Sequence, residues 1–184
     1  MALIVEDGSC PKGANSYADV AAADAYLANR KTEGWPQSAD DQAGKEAALI
    51  KAADYLNGLS WHGGRMPWPD GSGGRVMAWP RRAVIDADGY PVPINAVPQA
   101  VVDANCWLAG LVYSGVDLQP VLERGGRVQS ESVGSLSTSY FDDAASRDIY
   151  SVLADLLGGL ADGFGDYSGT GTQKKTGVIP LVLG

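Results

Sequence analysis

The side chains that could do chemistry in this sequence are few and scattered. His62 is the one histidine, and Cys10 and Cys106 are the two cysteines, in 184 residues. A Ser-His-Asp triad or a zinc centre would have to be built around that single imidazole, which sits in a Gly-rich segment and is expected to face solvent beside Trp61. No His/Cys cluster has transition-metal spacing, and the cysteines suggest two free thiols rather than a disulfide framework. Asp86, Asp88 and Gly89 open like a calcium loop, but the later carboxylates and the closing Glu are missing, so a tight turn is expected. The run Gly71–Gly74 lacks the Lys and Ser/Thr of a phosphate-binding loop and reads as a loop tip. The pairs Asp40/Asp41 and Asp142/Asp143 fall where helices need caps and negative charge at their N-termini. No catalytic, cofactor-binding or metal-binding residue is therefore expected, and the chain is read as not an enzyme.

One patch keeps a nucleic-acid reading open. Trp61, Trp68 and Trp79, three of five tryptophans, are interleaved with Arg65, Arg75, Arg81 and Arg82. Aromatic faces that stack on bases, with guanidinium groups for phosphates, are what a single-strand binder uses. The competing reading, which is preferred, is that Trp79-Pro80-Arg81 packs the loop back onto the helices while the arginines pair with carboxylates. Charge favours the competitor: 14 basic residues against 22 acidic ones give a formal charge of -8, the wrong sign for neutralising phosphates.

The elements that must position these residues are mainly helical. Asn15 and Ser16 offer cap oxygens for a helix over 16–30, with Val20, Ala23 and Leu27 on one face and Asp19 near its start. A second helix should begin at Ser38, carry Leu49, Ala52, Ala53 and Leu56 as its stripe, and stop at Gly58. Residues 60–82 are broken by Trp, Pro and Gly into a long irregular loop or hairpin, which leads through prolines 91, 93 and 98 into a third helix over 100–114 that ends at Gly115. Alternation over 127–141, with Gly134 near the turn, predicts a β-hairpin. A last helix, capped by Asp142 or Asp143, should run to Leu157. Leu49, Leu56, Val101, Leu108, Ile149, Val152 and Leu156 are the expected shared core.

The fold class is thus mostly α: a four-helix domain over 1–157, with a long irregular loop, a β-hairpin, and an extended C-terminal arm over 158–184. Length allows one core, and 45% hydrophobic with 20% charged residues marks a folding chain. The 24 glycines bunch in 58–74, 110–134 and 158–177, so connections and arms form a large share of the protein. No apolar run is long enough for a membrane span, and no secretion signal is seen, which points to a cytosolic origin. A Gly/Ser/Thr-rich stretch delivers the apolar run Val178, Ile179, Pro180, Leu181, Val182 and Leu183, which is expected to dock along an edge or groove of another subunit.

An ordered series of segments resembles the head-to-tail adaptor (connector, or head-completion) proteins of tailed bacteriophages. It comprises Leu3–Gly8, Asn15-Ser16-Tyr17, Ala23–Tyr26, Lys45–Ile50, Ala53–Leu56, Trp79-Pro80-Arg81, Val92-Pro93 and Val97–Val101, and it covers about residues 3 to 157. Similar sequences are also labelled DnaT-like single-strand DNA-binding proteins. The adaptor resemblance implies a dodecameric ring of copies under the portal, made in the host cytoplasm and placed at the virion neck. Such a ring extends the DNA channel, lets double-stranded DNA pass without specific binding, and offers a platform to the stopper or tail-completion protein. A single-strand DNA-binding module of a phage replication system, using Trp61, Arg65, Trp68, Arg75, Trp79, Arg81 and Arg82, is the alternative. No cofactor and no membrane contact are expected.

Overall fold

The computed structural model describes residues 2–36, 41–67, 77–119, 128–132, 137–140 and 151–162. Four helices carry most of the regular structure among them: α1 (Val20–Asn29), α2 (Gln42–Asn57), α3 (Gln99–Tyr113) and α4 (Ser151–Leu157). Six short strands accompany the helices: β1 (Ser60–Trp61), β2 (Gly64–Arg65), β3 (Arg81–Arg82), β4 (Val128–Ser132), β5 (Ser137–Tyr140) and β6 (Ala161–Asp162). They pair in antiparallel twos, β1 with β6, β2 with β3 and β4 with β5.

The apolar stripes explain the packing. Helix α3 is the hub and lies against α1, α2 and α4. Its Val101, Ala104, Leu108 and Ala109 are fully buried, as are Leu49, Ala52, Ala53 and Leu56 of α2 and Ala23 and Leu27 of α1. Gly110 of α3 lets α1 approach: a Cβ there would stand 3.1 Å from Leu27 Cδ2. Helix α3 ends as the sequence predicts, with Gly115 at φ +93° and the N–H groups of Gly115 and Val116 donating to Val112 O and Leu111 O, a Schellman closure.

Several expectations shift in detail. Helix α1 starts at Val20, capped by Asp19, whose carboxylate accepts from Ala22 N at 2.7 Å. Asn15 and Ser16 do not cap it. Asn15 instead binds Ile4 N and Ala2 O, and Ser16 binds Ala18 O and Asn105, tying down the N-terminal segment. Asp41 caps α2 through Gly44 N, so the helix begins at Gln42 rather than Ser38. Gly58 does follow α2, but at φ -85°, with Gly58 N and Leu59 N donating to Tyr55 O and Leu56 O; the helix tightens there instead of turning left-handed. On α4 the buried face is Leu153 and Leu157, while Val152 and Leu156 are only half-buried; Ile149 lies outside the described residues.

The loop over 60–82 is partly an irregular hairpin: β2 and β3 pair Gly64 with Arg82 and Arg65 with Arg81. The second hairpin is present, with Ser132 opposite Ser137 and a bulge between Val128 and Ser130; its turn, including Gly134, lies outside the described residues. Leu160 and Ala161, expected in the linker, are buried, and β6 joins β1. No helix among the described residues is long and apolar enough to cross a membrane.

Candidate functional site around the Trp-Pro-Arg turn

The segment that could have held nucleic acid is built against the C-terminal end of α2, where the last carbonyls have no partner within the helix. Trp61 donates its indole N–H to Leu56 O at 2.7 Å, and Arg65 Nη2 reaches Asn57 O at 3.4 Å. A cation and an N–H donor at a helix C-terminus both complement its partial negative charge. The Asn57 side chain continues the seam: its Oδ1 accepts from Ala78 N at 2.8 Å and from the Tyr17 hydroxyl at 2.6 Å. The same Tyr17 oxygen accepts from Ala78 N and Trp79 N, at 2.9 and 3.3 Å. Burial pushes the Tyr17 phenol up to about 12, because an ionised oxygen would lose its water there.

Arg81 closes the turn. Its Nε donates to His62 O at 2.6 Å, Nη1 to Ala78 O at 3.0 Å, and Nη2 to Trp61 O and Gly63 O at 3.2 and 2.7 Å. The side chain is buried, and burial, followed by the nearby Arg65 charge, lowers its pKa. The planar fork meets four backbone carbonyls from β1, the turn after it and the Trp79 loop. This corrects the expectation that Arg81 pairs with a carboxylate; its fork is bound by carbonyls. Gly63, at φ +66°, lies against the Arg82 and Ala83 carbonyls where a side chain has no room.

Trp61 and Trp79 point inward. Trp79 is fully buried, follows the loop through a cis bond to Pro80, and meets Trp61 edge to face at 5.6 Å. The structure thus brings Trp61, Arg65, Trp79, Arg81 and Arg82 together, but only Arg65 and Arg82 are exposed. Trp68 and Arg75 lie outside the described residues, as does the whole run Val178, Ile179, Pro180, Leu181, Val182 and Leu183. His62 is not merely solvent-facing: its Nε2 lies 2.9 Å from Asp162 Oδ1 across the β1–β6 pair.

The tight turn expected at Asp86, Asp88 and Gly89 is present. Asp86 Oδ1 accepts from Asp88 N and Tyr90 N, at 3.1 and 2.8 Å, with Gly89 at φ +88°. No group of three candidate metal ligands occurs among the described residues.

Two polar constellations escaped sequence reasoning. Asn105, fully buried on α3, accepts from Tyr17 N and Ser16 Oγ at 2.8 and 3.0 Å and donates to Leu49 O at 3.0 Å, joining three segments. Lys45, fully buried on α2, donates to Asp24 Oδ1 at 2.7 Å, the oxygen that also accepts from Trp35 Nε1. Trp35 in turn stands edge to face with Tyr113, which donates to Asp41 at 2.6 Å. That bond, with Gly44 N, holds the Asp41 carboxyl below its ordinary value. The available signal was position: Lys45 lies one turn before Leu49 on the buried face, and Asn105 lies on the α3 stripe.

A family model described as "Putative DnaT-like ssDNA binding protein" matches residues 1–177. No curated protein and no solved structure gives a match.

Proposed function

The chain belongs to the DnaT-like family that its residues 1–177 match, and within that family we propose that it acts as a structural head-tail adaptor of a tailed phage. Copies form a ring beneath the portal at the virion neck, extend the DNA channel, and offer a platform to the stopper or tail. The observation that carries this choice over a nucleic-acid grip is the inward orientation of Trp61, Trp79 and Arg81. Groups that would stack on bases and bind phosphate instead hold the loop to α2. The segments that resemble phage adaptors coincide with this framework: Glu6, Ser16, Tyr17 and Arg81 are all buried in it. A charge of -8 suits a channel wall, because carboxylates repel the DNA backbone and let it slide. Electron microscopy of the chain mixed with its portal tests the reading. A ring at the neck is expected; a chain that stays off portals and is absent from particles would sink it.

The family description favours a second reading, single-strand DNA binding. On this fold it would have to use exposed groups such as Arg65 and Arg82. A titration with single-stranded DNA at low salt separates the two. The adaptor reading expects no quenching of the buried indoles and no binding. Salt-sensitive micromolar binding lost in Arg65→Ala with Arg82→Ala would favour the second.

A further inference from the structure

Between Ala83 and Pro98 the chain carries only two charged residues, Asp86 and Asp88, and no basic one. Three of its large apolar side chains stand out in water, Ile85 at 61%, Tyr90 at 69% and Ile94 at 54% exposure. Ile85 and Tyr90 sit on a small hairpin fixed by the Ile85–Pro91 bridge, the Asp86–Tyr90 bonds and a Val92 N to Val84 O bond, and Ile94 follows in the next turn, where Ala96 N donates to Pro93 O. A rigid turn that displays apolar groups in this way is a ready docking face.

The sequence supplies a complementary segment. Val178–Leu183 is apolar and is preceded by Lys174 and Lys175, so a pair of cations adjoins the apolar run just as Asp86 and Asp88 adjoin Ile85 and Tyr90. The turn before β6 lies beside this hairpin: a Cβ at Gly159, three residues before Asp162, would stand 2.7 Å from Ala87 N and Cβ. Residues 163–177 can span at most about 50 Å, enough to reach the same face on an adjacent molecule.

We propose that Ile85, Tyr90 and Ile94 form the docking surface for the Val178–Leu183 segment of a neighbouring copy. A surface patch and a separate complementary segment on one chain generate head-to-tail association, which closes into a ring when the rotation permits. The choice of a neighbour over the chain's own segment rests on the ring reading above. Asp88 and the lysines set the direction of the segment, while the branched residues cover the apolar face. Each contact is small, and repetition around a ring multiplies it.

The test places the photoreactive residue benzoylphenylalanine at position 90 of the full chain. Equal amounts of isotope-labelled and unlabelled protein are mixed, irradiated across a range of concentrations and digested with trypsin. Cross-links from position 90 to the peptide 176–184 are expected in mixed-isotope pairs, rising with concentration. They should fall severalfold in Ile85→Ser with Ile94→Ser and vanish on deletion of 176–184, with helicity unchanged in both. Cross-links within one isotope form only would place the segment on its own chain and overturn the proposal. So would cross-links to added portal protein alone, or none to 176–184 at any concentration. Portal rings seen by microscopy without the cross-link would reject this docking and leave the adaptor reading standing; the cross-link without rings would do the reverse.

Discussion

Arg81 shows how one residue can look like a binding group and act as a structural one. A guanidinium in place of four water contacts needs four acceptors, and the carbonyls of Trp61, His62, Gly63 and Ala78 supply them. Arg81→Ala would leave those oxygens short of donors in a buried site, so a loss of about 2 to 3 kcal/mol is expected by urea denaturation. Arg81→Lys should recover little of it, since an ammonium cannot reproduce the fork. Two buried acids set the alkaline limit. Burial pushes the Cys106 thiol from 9.0 up to about 12, with Asp103 adding to it, and the Tyr17 phenol from 10.0 to about 12. Both folded-state values are raised, so the unfolded chain releases these protons first, and stability falls as pH rises between them. Thermal melts should hold to about pH 9 and then decline towards pH 12. Cys106→Ala should move the onset to about pH 10, where Tyr17 begins to act.

At the level of elements, periodicity carried the reading well where the stripe was apolar and long. Leu49, Leu56, Val101 and Leu108 are all fully buried. Leu108→Ala, fully buried on the hub helix α3, should cost about 2 to 5 kcal/mol, read from denaturant midpoints. The short α4 was harder. Its stripe admits two registers, and the structure selects Leu153 and Leu157 over Val152 and Leu156. Leu153→Ala should therefore lower the melting temperature more than Val152→Ala; equal shifts would contradict the packing. Helix starts were misplaced because Asn15, Ser16 and Asp19 are all competent caps, and the choice depends on the distant Asn105, which engages Ser16. The packing of Trp79-Pro80-Arg81 back onto the helices was legible as the preferred alternative, since an acidic chain argues against a phosphate grip; the burial of Trp61 beside it was not. Nor were the partners of Arg81. Backbone carbonyls carry no sequence signature, and neither the Arg81 cradle nor the Lys45–Asp24 pair can be read from spacing.

For the whole molecule, charge and chain ends matter most. With a charge of -8, isolated protein should sediment as a monomer or a weak, concentration-dependent association at micromolar concentration and physiological salt; a stable ring without partner would contradict this. The last described element gives a sharper test. Strand β6 follows α4 after a tight turn, in which Leu160 N donates to Leu157 O. It brings Leu160 and Ala161 into the core, and His62 contacts Asp162. His62 N donates to Leu160 O at 2.9 Å, so the end of the body is fastened to the Arg81 turn by backbone as well as side chains. A chain ending at 175 keeps all of this and should match the full protein in helicity and melting temperature, while weakening attachment to the portal or to its neighbours. A chain ending at 157 loses the strand pair, two buried apolar side chains and the partner of His62. It should melt several degrees lower, as loss of about 2 kcal/mol or more does in a domain of this size. Circular dichroism melts of the two truncations measure the difference, and equal midpoints would show that β6 adds nothing to the body it closes.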